Sequence, residues 1–222
     1  MIIYGSSLSM FVRKAIAFAR EKDVAFELAR GGMGAGGEDF AQASPFGKMP
    51  ALRDPGVDQG RDFTIADSSA ICHYLEAKHP HPALIPADPI GRARTIWLDE
   101  FGDTILAAAV VKMFFNRVVA PKLLKQPGDE AAAATAEAVE VPRALEYLET
   151  VAPATDGGFL VGETLSLADL AVASPFVNLA HVGWTIDAVR WPRTNAYIAR
   201  MLARPSFALS IAAEQRTLAG LG

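Results

Sequence analysis

Short apolar runs and helical repeats alternate along the first part of the chain. Residues 2–4 form an apolar, β-prone run, residues 10–22 carry apolar side chains at helical spacing, and apolar positions alternate over residues 24–28. A period of two indicates a strand, whereas spacings of three and four indicate a helix. This order predicts a strand–helix–strand unit, whose strands run parallel and are joined by a right-handed crossover. Arg13, Lys14, Arg20 and Lys22 lie elsewhere around the predicted helix.

Two further strands and a second helix are predicted before residue 80. Residues 51–53 and 63–65 are strand-like, and the turn-forming Asp-Pro-Gly sequence at 54–56 favours an antiparallel hairpin between them. Asp67 and Ser68 then begin a helix, because both residue types are favoured N-caps. The sequence His-Pro-His-Pro at 79–82 ends that helix.

From residue 89 onward the pattern is helical. Residues 90–120 carry a long helical repeat, and residues 129–152 a second one that Pro142 is expected to kink or divide. Further helices are predicted at 166–180, 194–203 and 206–217. The chain therefore predicts a small α/β domain over residues 1–80, a proline-marked linker over 81–88 and an all-helical domain over 89–222.

Glycine is frequent over residues 31–47, which we interpret as a flexible loop. Gly32, Gly34 and Gly37 formally match a dinucleotide-binding fingerprint. Glu38 and Asp39, however, put negative charge where a pyrophosphate needs positive charge, and a proline at position 45 leaves little room for a crossover helix. The loop interpretation is therefore preferred to a dinucleotide site.

Composition and charge narrow the function classes. Lys and Arg number 21 and Asp and Glu 25, a net charge of −4, which provides no basic surface for nucleic acid. The chain is 51% hydrophobic, which argues against disorder. No uninterrupted apolar run reaches the ~18 residues of a membrane span, and the N-terminus lacks the features of a secretory signal. We expect a cytoplasmic protein without nucleic-acid or membrane partners.

The chain has a single cysteine, Cys72, so it has neither a disulfide framework nor a metal site built on several cysteines. We interpret Cys72 as a small packing residue, with a reactive thiol as the alternative. The four histidines, at positions 73, 79, 81 and 181, show no metal-binding spacing. We expect no metal.

Two groups of polar residues are candidates for local structure or chemistry. Ser166 and Asp169 have capping-box spacing, in which each side chain bonds the other residue's backbone, and we interpret them as structural. Ser6, Ser7 and Ser9 lie between the first strand and the first helix. One of them either caps that helix or stabilises an anion beside the positive end of the helix.

Four ordered segments carry a resemblance to a known family. They are residues 9–14 (SMFVRK), 44–52 (SPFGKMPAL), 67–71 (DSSAI) and 166–169 (SLAD), with the linker sequence ALIPADP at 83–89. In this order and spacing the chain resembles a cytosolic-type glutathione transferase of the serine-type, bacterial-like kind. The resemblance covers essentially the whole chain. It implies a thioredoxin-like N-terminal domain and an all-α C-terminal domain.

The resemblance also implies roles for individual residues. Met49 would pair its backbone with the cysteinyl backbone of glutathione and precede a cis-proline, Pro50. Asp67 would hold the γ-glutamyl ammonium group, Ser68 the γ-glutamyl carboxylate, and Lys48 the glycyl carboxylate.

Ser9 matches the serine whose hydroxyl donates to the glutathione sulfur. Met10 stands where many relatives have proline, so Ser6 and Ser7 remain alternatives for that role.

The implied activity is a glutathione transferase that acts in detoxification, with glutathione as cosubstrate and no metal. The glutathione thiolate would attack a small hydrophobic electrophile in a homodimeric, cytoplasmic enzyme. Candidates for an apolar electrophile wall are Phe11, Met113, Phe114 and Phe115, and core packing is the alternative for each of them. Two alternative functions stay open. They are a different glutathione reaction (peroxidase, dehalogenase or isomerase) and a non-enzymatic binding protein with the same fold.

Overall fold

The computed structural model describes residues 1–32, 34–155 and 157–220 and divides the chain into two compact units. The N-terminal unit is Met1–Leu84 and the helical unit is Ile85–Gly222. The division falls inside segment 81–88. Met33, which lies in the predicted loop, and positions 156, 221 and 222 of the predicted helical domain are outside the described residues.

A four-stranded sheet with three helices forms the N-terminal unit. Its strands are β1 (Ile2–Tyr4), β2 (Glu27–Ala29), β3 (Ala51–Asp58) and β4 (Arg61–Ala66), and its helices are α1 (Met10–Glu21), α2 (Gly37–Ala43) and α3 (Ser68–Lys78). The sheet order is β2-β1-β3-β4, with β1 parallel to β2 and β3 antiparallel to both neighbours. The predicted parallel strand–helix–strand unit and the antiparallel hairpin are confirmed.

The core of the N-terminal unit joins the central strands to α1 and α3. Ile3, Leu52, Ile16, Phe18 and Leu75 are all fully or almost fully buried. Burying a side chain of this size stabilises the fold by about 1.5–3 kcal/mol. The apolar faces of the two helices therefore hold α1 and α3 against the sheet.

The predicted position of the hairpin turn was wrong. The chain turns at Gln59 and Gly60, whose φ angles are 52° and 85°, as a two-residue type I′ turn requires. Strand β3 continues through residues 54–56 with an irregular register between Asp54 and Asp58. Proline is tolerated there because β3 has passed the end of β1, its other partner, at Arg53.

The prediction of a loop throughout residues 31–47 was also wrong, because α2 occupies seven of them. Phe40 and Ala43, one helical turn apart, are buried, and the Phe40 ring lies 6.2 Å from the Tyr4 ring. The packing of Phe40 and Ala43 stabilises this helix despite the low helix propensity of the glycines around it. Strand β2 begins at Glu27 rather than at residue 24, and it is an edge strand with Leu28 43% exposed.

Five helices make up the helical unit in the part of the chain that the structure describes. They are α4 (Pro89–Leu123), α5 (130–151), α6 (Leu167–His181), α7 (Pro192–Leu202) and α8 (Pro205–Ala219). The predicted helices are confirmed. Helix α5 is π-helical over Ala136–Glu140 and regains α-helical geometry at Val141, so the geometry changes just before Pro142.

Helix α4 is 35 residues long and, by length and composition only, meets the criteria for a membrane span. Counting uninterrupted apolar residues did not predict this. The core helix of a soluble protein passes the same test, and 44% of the most apolar 18-residue window of α4 is buried inside the protein. Leu106, Val110 and Met113 are among its fully buried side chains. The criterion is therefore weak evidence for a membrane segment.

The Asp169 carboxylate connects three parts of the helical unit. Its Oδ2 accepts hydrogen bonds from the backbone N–H and the hydroxyl of Ser166 (2.8 and 2.9 Å), and its Oδ1 accepts from the Leu160 N–H (2.9 Å) and the Tyr197 hydroxyl (2.8 Å). The predicted contact from Asp169 to the Ser166 backbone is confirmed. The Ser166 side chain accepts from the Asp169 backbone, so the predicted capping box is confirmed. The Ser166 hydroxyl also bonds the Asp169 carboxylate directly.

Candidate functional site

The loop between β1 and α1 presents three serines. Gly5 has φ 148°, and a Cβ there would meet Val12 Cγ2 at 2.5 Å, so the turn requires glycine. Ser9 is the N-cap of α1 and donates its N–H to the Ser6 carbonyl (2.9 Å). Its hydroxyl makes no capping hydrogen bond. The Ser6 hydroxyl, in contrast, accepts from the Leu8 N–H at 3.4 Å.

The loop before β3 contains the predicted cis-proline. The Met49–Pro50 peptide bond is cis, and the Pro50 carbonyl accepts from the Asp67 N–H at 3.1 Å. The Ser44 hydroxyl donates to the Lys48 carbonyl at 2.7 Å, which fixes the backbone while the Lys48 side chain stays exposed. This loop is therefore directly bonded to the residue that begins α3.

Asp67 caps α3 with an uncommon backbone conformation. Its φ is 94°, a value that costs a non-glycine residue about 1–3 kcal/mol and that persists where surrounding structure enforces it. Its Oδ1 accepts from the N–H groups of Ser69 (2.9 Å) and Ala70 (3.1 Å). Ser68, the first helical residue, is buried. An exposed carboxylate thus lies beside the positive end of a helix.

Several predicted glutathione contacts lie close together in the N-terminal unit. Pro50 is bonded to Asp67, Ser68 follows directly, and a Cβ on Gly5 would lie 3.5 Å from the Met49 Cβ. The β1–α1 loop at Gly5, the cis-proline loop and the start of α3 therefore adjoin one another. Such a site offers hydroxyl and backbone donors to anions and one carboxylate to a cation.

The four candidates for the electrophile wall differ in exposure. Phe11 is half-buried, Met113 is fully buried and Phe114 is 6% exposed, with its ring 6.3 Å from that of His181. Phe115 is 42% exposed. Phe115 therefore remains the most accessible of the four, and Met113 and Phe114 have the burial expected of core residues.

The remaining candidates are the Cys72 thiol and clusters of metal-ligating side chains. Cys72 is fully buried, as the packing interpretation expects. Among residues 1–32, 34–155 and 157–220, no cluster of three or more His, Cys, Asp or Glu side chains could hold a metal ion.

Sequence reasoning missed the burial of the basic residues of α1. Arg13, Lys14 and Lys22 are 0–4% exposed, although their charge suggested positions away from the apolar face. Lys22 donates to the carbonyls of His79 (2.6 Å) and Pro82 (2.7 Å) and pairs with the Glu76 carboxylate (2.7 Å). Lys14 Nζ donates to the Ser69 hydroxyl at 2.9 Å. The sequence did carry a signal for this burial. Lys14 follows Phe11 by three residues and Met10 by four, so it lies on the same face of the helix as these apolar side chains.

Comparison with known proteins identifies the family of this chain. The glutathione S-transferase N-terminal domain family matches residues 3–83, and the C-terminal domain family matches residues 114–209. A glutathione S-transferase of Hyoscyamus muticus is 30% identical over 97% of this chain and 99% of its own length. A rat maleylacetoacetate isomerase is 29% identical over 78% of this chain and 72% of its own.

A solved structure gives the same result for the fold. The glutathione S-transferase of Methylobacterium radiotolerans, in complex with glutathione sulfonate, is 26% identical, with a TM-score of 0.73 over 95% of this chain and 93% of its own. The predicted thioredoxin-like N-terminal domain and all-helical C-terminal domain are confirmed. With a sheet of this topology, matches to both family domains and a relative that is 30% identical over 99% of its own length, the chain belongs to the glutathione S-transferase family.

Proposed function

We propose that this protein binds glutathione in the N-terminal unit and activates its thiol for attack on a small hydrophobic electrophile. The observation that carries the proposal is the hydrogen bond between Asp67 and the cis-proline Pro50, directly before Ser68. The Ser9 hydroxyl makes no capping hydrogen bond to α1 and is the proposed donor to the sulfur. Asp67 accepts from the γ-glutamyl ammonium, Ser68 donates to the γ-glutamyl carboxylate, and the Met49 backbone pairs with the cysteinyl residue. Lys48 meets the glycyl carboxylate. A glutathione S-transferase that is 26% identical to this chain was solved in complex with glutathione sulfonate, which supports the proposed class of ligand.

Ser9 stabilises the thiolate in this mechanism. A cysteine thiol has a pKa of about 8.5, and each unit of pKa reduction requires about 1.4 kcal/mol. A hydroxyl donor and the positive end of α1 together supply stabilisation of that size. The thiol proton leaves to solvent, and the sulfur lone pair forms a bond to the electrophilic carbon. In a substitution the leaving group departs with the electron pair of its bond to that carbon. In an addition the π electrons of the activated double bond move to the neighbouring atom, which takes up a proton from solvent. Of the four candidate wall residues, Phe115 is the most exposed and fits contact with an electrophile best.

Titration calorimetry with glutathione tests the binding step. We expect a saturable 1:1 complex per chain, and Asp67→Ala to weaken it by roughly 10- to 100-fold because a charge-assisted hydrogen bond is lost. Asp88→Ala, which removes an exposed helix-capping aspartate in the helical unit, is the matched control and leaves affinity unchanged. Absence of binding at millimolar glutathione contradicts the proposal and favours a non-enzymatic protein with this fold.

Isomerisation is a second candidate, favoured by the similarity to maleylacetoacetate isomerase. In that reaction the thiolate adds to a carbon–carbon double bond, rotation follows, and the thiolate leaves again, so glutathione is not consumed. Product analysis with maleylacetoacetate separates the two activities. A stable glutathione adduct supports transfer, and an isomer formed with substoichiometric glutathione supports isomerisation.

We further propose that the protein is a cytoplasmic homodimer. A groove of about 580 Å³ between α4 and α5 is lined by Trp97, Phe101, Ile105, Val139 and Tyr147, among others, and Trp97 and Val139 are 49% and 60% exposed. Exposed apolar patches of this kind mark interaction surfaces. Arg143, which also lines the groove and is exposed, offers a positive charge to an acidic residue of a second copy, whereas Glu140 is already paired with Lys112 at 2.6 Å.

Sedimentation velocity tests this assembly. We expect twice the 23.6 kDa chain mass for the unchanged protein and a monomer for Trp97→Asp, which puts a charge into the groove. Leu209→Asp, at a 61% exposed position on α8, keeps the dimer. A monomeric unchanged protein at tens of micromolar overturns the proposed dimer, and so does a dimeric Trp97→Asp variant.

A further inference from the structure

Lys14 is a fully buried lysine near the start of α1. Its ammonium donates a hydrogen bond to the Ser69 hydroxyl at 2.9 Å, which joins α1 to α3. Removing an ammonium group from water costs several kcal/mol, even after the protein relaxes around it. A neutral side chain could fill the same space without that cost. The hydrogen bond to Ser69 is one of the contacts that offset this cost, and it directs the Lys14 ammonium toward the start of α3.

Ser69 lies at the point where the γ-glutamyl group of glutathione is proposed to bind. Its backbone N–H donates to Asp67 Oδ1 at 2.9 Å, and it directly follows the buried Ser68. The Lys14 charge is thus one hydroxyl group away from the N-terminus of α3. In an environment of low dielectric constant this charge adds to the helix dipole and favours a bound carboxylate.

We infer that Lys14 is a positioning residue that acts through Ser69 to make the site selective for peptides whose γ-glutamyl group carries a free α-carboxylate. This inference rests on the proposed glutathione site. Lys14 orients the Ser69 hydroxyl, and its charge stabilises the carboxylate that Ser68 receives. Ligands that keep the amino group of the γ-glutamyl residue but lack its α-carboxylate gain nothing from Lys14.

Paired calorimetric titrations test the inference. The two ligands are glutathione and γ-aminobutyryl-cysteinyl-glycine, which keeps the ammonium group and lacks only the α-carboxylate. We expect Lys14→Met to lose roughly tenfold in glutathione affinity, the scale of one partly screened charge–carboxylate interaction, and to bind the analogue as the unchanged protein does. The ratio of the two affinities therefore falls by the same factor. A purely structural role would weaken both ligands equally.

Two further variants keep the test decisive. Ser69→Ala retains the ammonium but removes its hydrogen-bond partner, so it lowers the same ratio even if Lys14→Met does not fold. Lys48→Met, at the glycyl end, weakens both ligands and keeps the ratio. Unchanged ratios in both Lys14→Met and Ser69→Ala overturn the inference and leave the glutathione site intact. If the unchanged protein binds no glutathione, the proposed function itself fails.

Discussion

Ser9→Ala is expected to lower turnover with a hydrophobic electrophile by roughly 10- to 100-fold near neutral pH, because a hydrogen bond to an ionised group contributes about 1.5–3 kcal/mol. The physical cause is a rise in the pKa of the bound glutathione thiol toward its ordinary value. The loss therefore shrinks as the pH rises above that pKa. Glutathione affinity changes little, since Asp67, Ser68 and the Met49 backbone still hold the peptide.

The measurement combines pH profiles of kcat with thiolate absorbance of bound glutathione. Helix stability does not confuse the result, because the Ser9 hydroxyl makes no capping hydrogen bond. Ser6→Ala and Ser7→Ala are matched controls in the same loop, and we expect near-normal turnover in both. A loss confined to either control moves the thiol-stabilising role to that serine. If all three variants turn over as fast as the unchanged protein, no serine of this loop is the activating group.

Sequence patterns predicted the elements of this fold better than their boundaries. The helices after residue 89 have long apolar repeats, and the β1–α1–β2 unit has two clear periods. The hairpin turn was misplaced because Asp-Pro-Gly at 54–56 is a stronger local signal than Gln59 and Gly60. Tertiary pairing with β4 overrode that signal. Helix α2 was missed because its stability comes from the contact of Phe40 with Tyr4 rather than from its own propensity.

The candidate site was predictable only as far as its residues are contiguous in sequence. Asp67 as an N-cap follows from residue type, and the structure adds its positive φ and its bond to Pro50. The burial of Lys14 was not predictable from charge, because charged side chains are rarely fully buried. Its partner, Ser69, lies 55 residues away. Contacts at such separations depend on how α1 and α3 pack, which periodicity alone does not specify.

Asp169→Ala is expected to reduce the free energy of unfolding by about 4 kcal/mol or more, since each buried donor left unpaired costs about 1–3 kcal/mol. The carboxylate is fully buried and accepts four hydrogen bonds, from Ser166 (two), Leu160 and Tyr197. Burial raises the pKa of the Asp169 carboxyl, and the four donors oppose that rise. Removing the carboxylate therefore disconnects the start of α6 from residue 160 and from α7.

Urea denaturation followed by circular dichroism measures this effect, and two milder variants separate its parts. Tyr197→Phe removes one donor and leaves the carboxylate bonded to the other three, so we expect a loss of about 1–2 kcal/mol. Asp169→Asn keeps an acceptor for Leu160 and Tyr197 but turns an amide donor toward the Ser166 N–H, which gives an intermediate loss. If Asp169→Ala costs no more than the roughly 1 kcal/mol of an ordinary helix cap, Asp169 acts as a cap alone and the bonds to Leu160 and Tyr197 contribute little. A large loss in Asp169→Ala with unchanged glutathione affinity in the folded fraction would place Asp169 in the stability of the helical unit and outside the chemistry of the N-terminal unit.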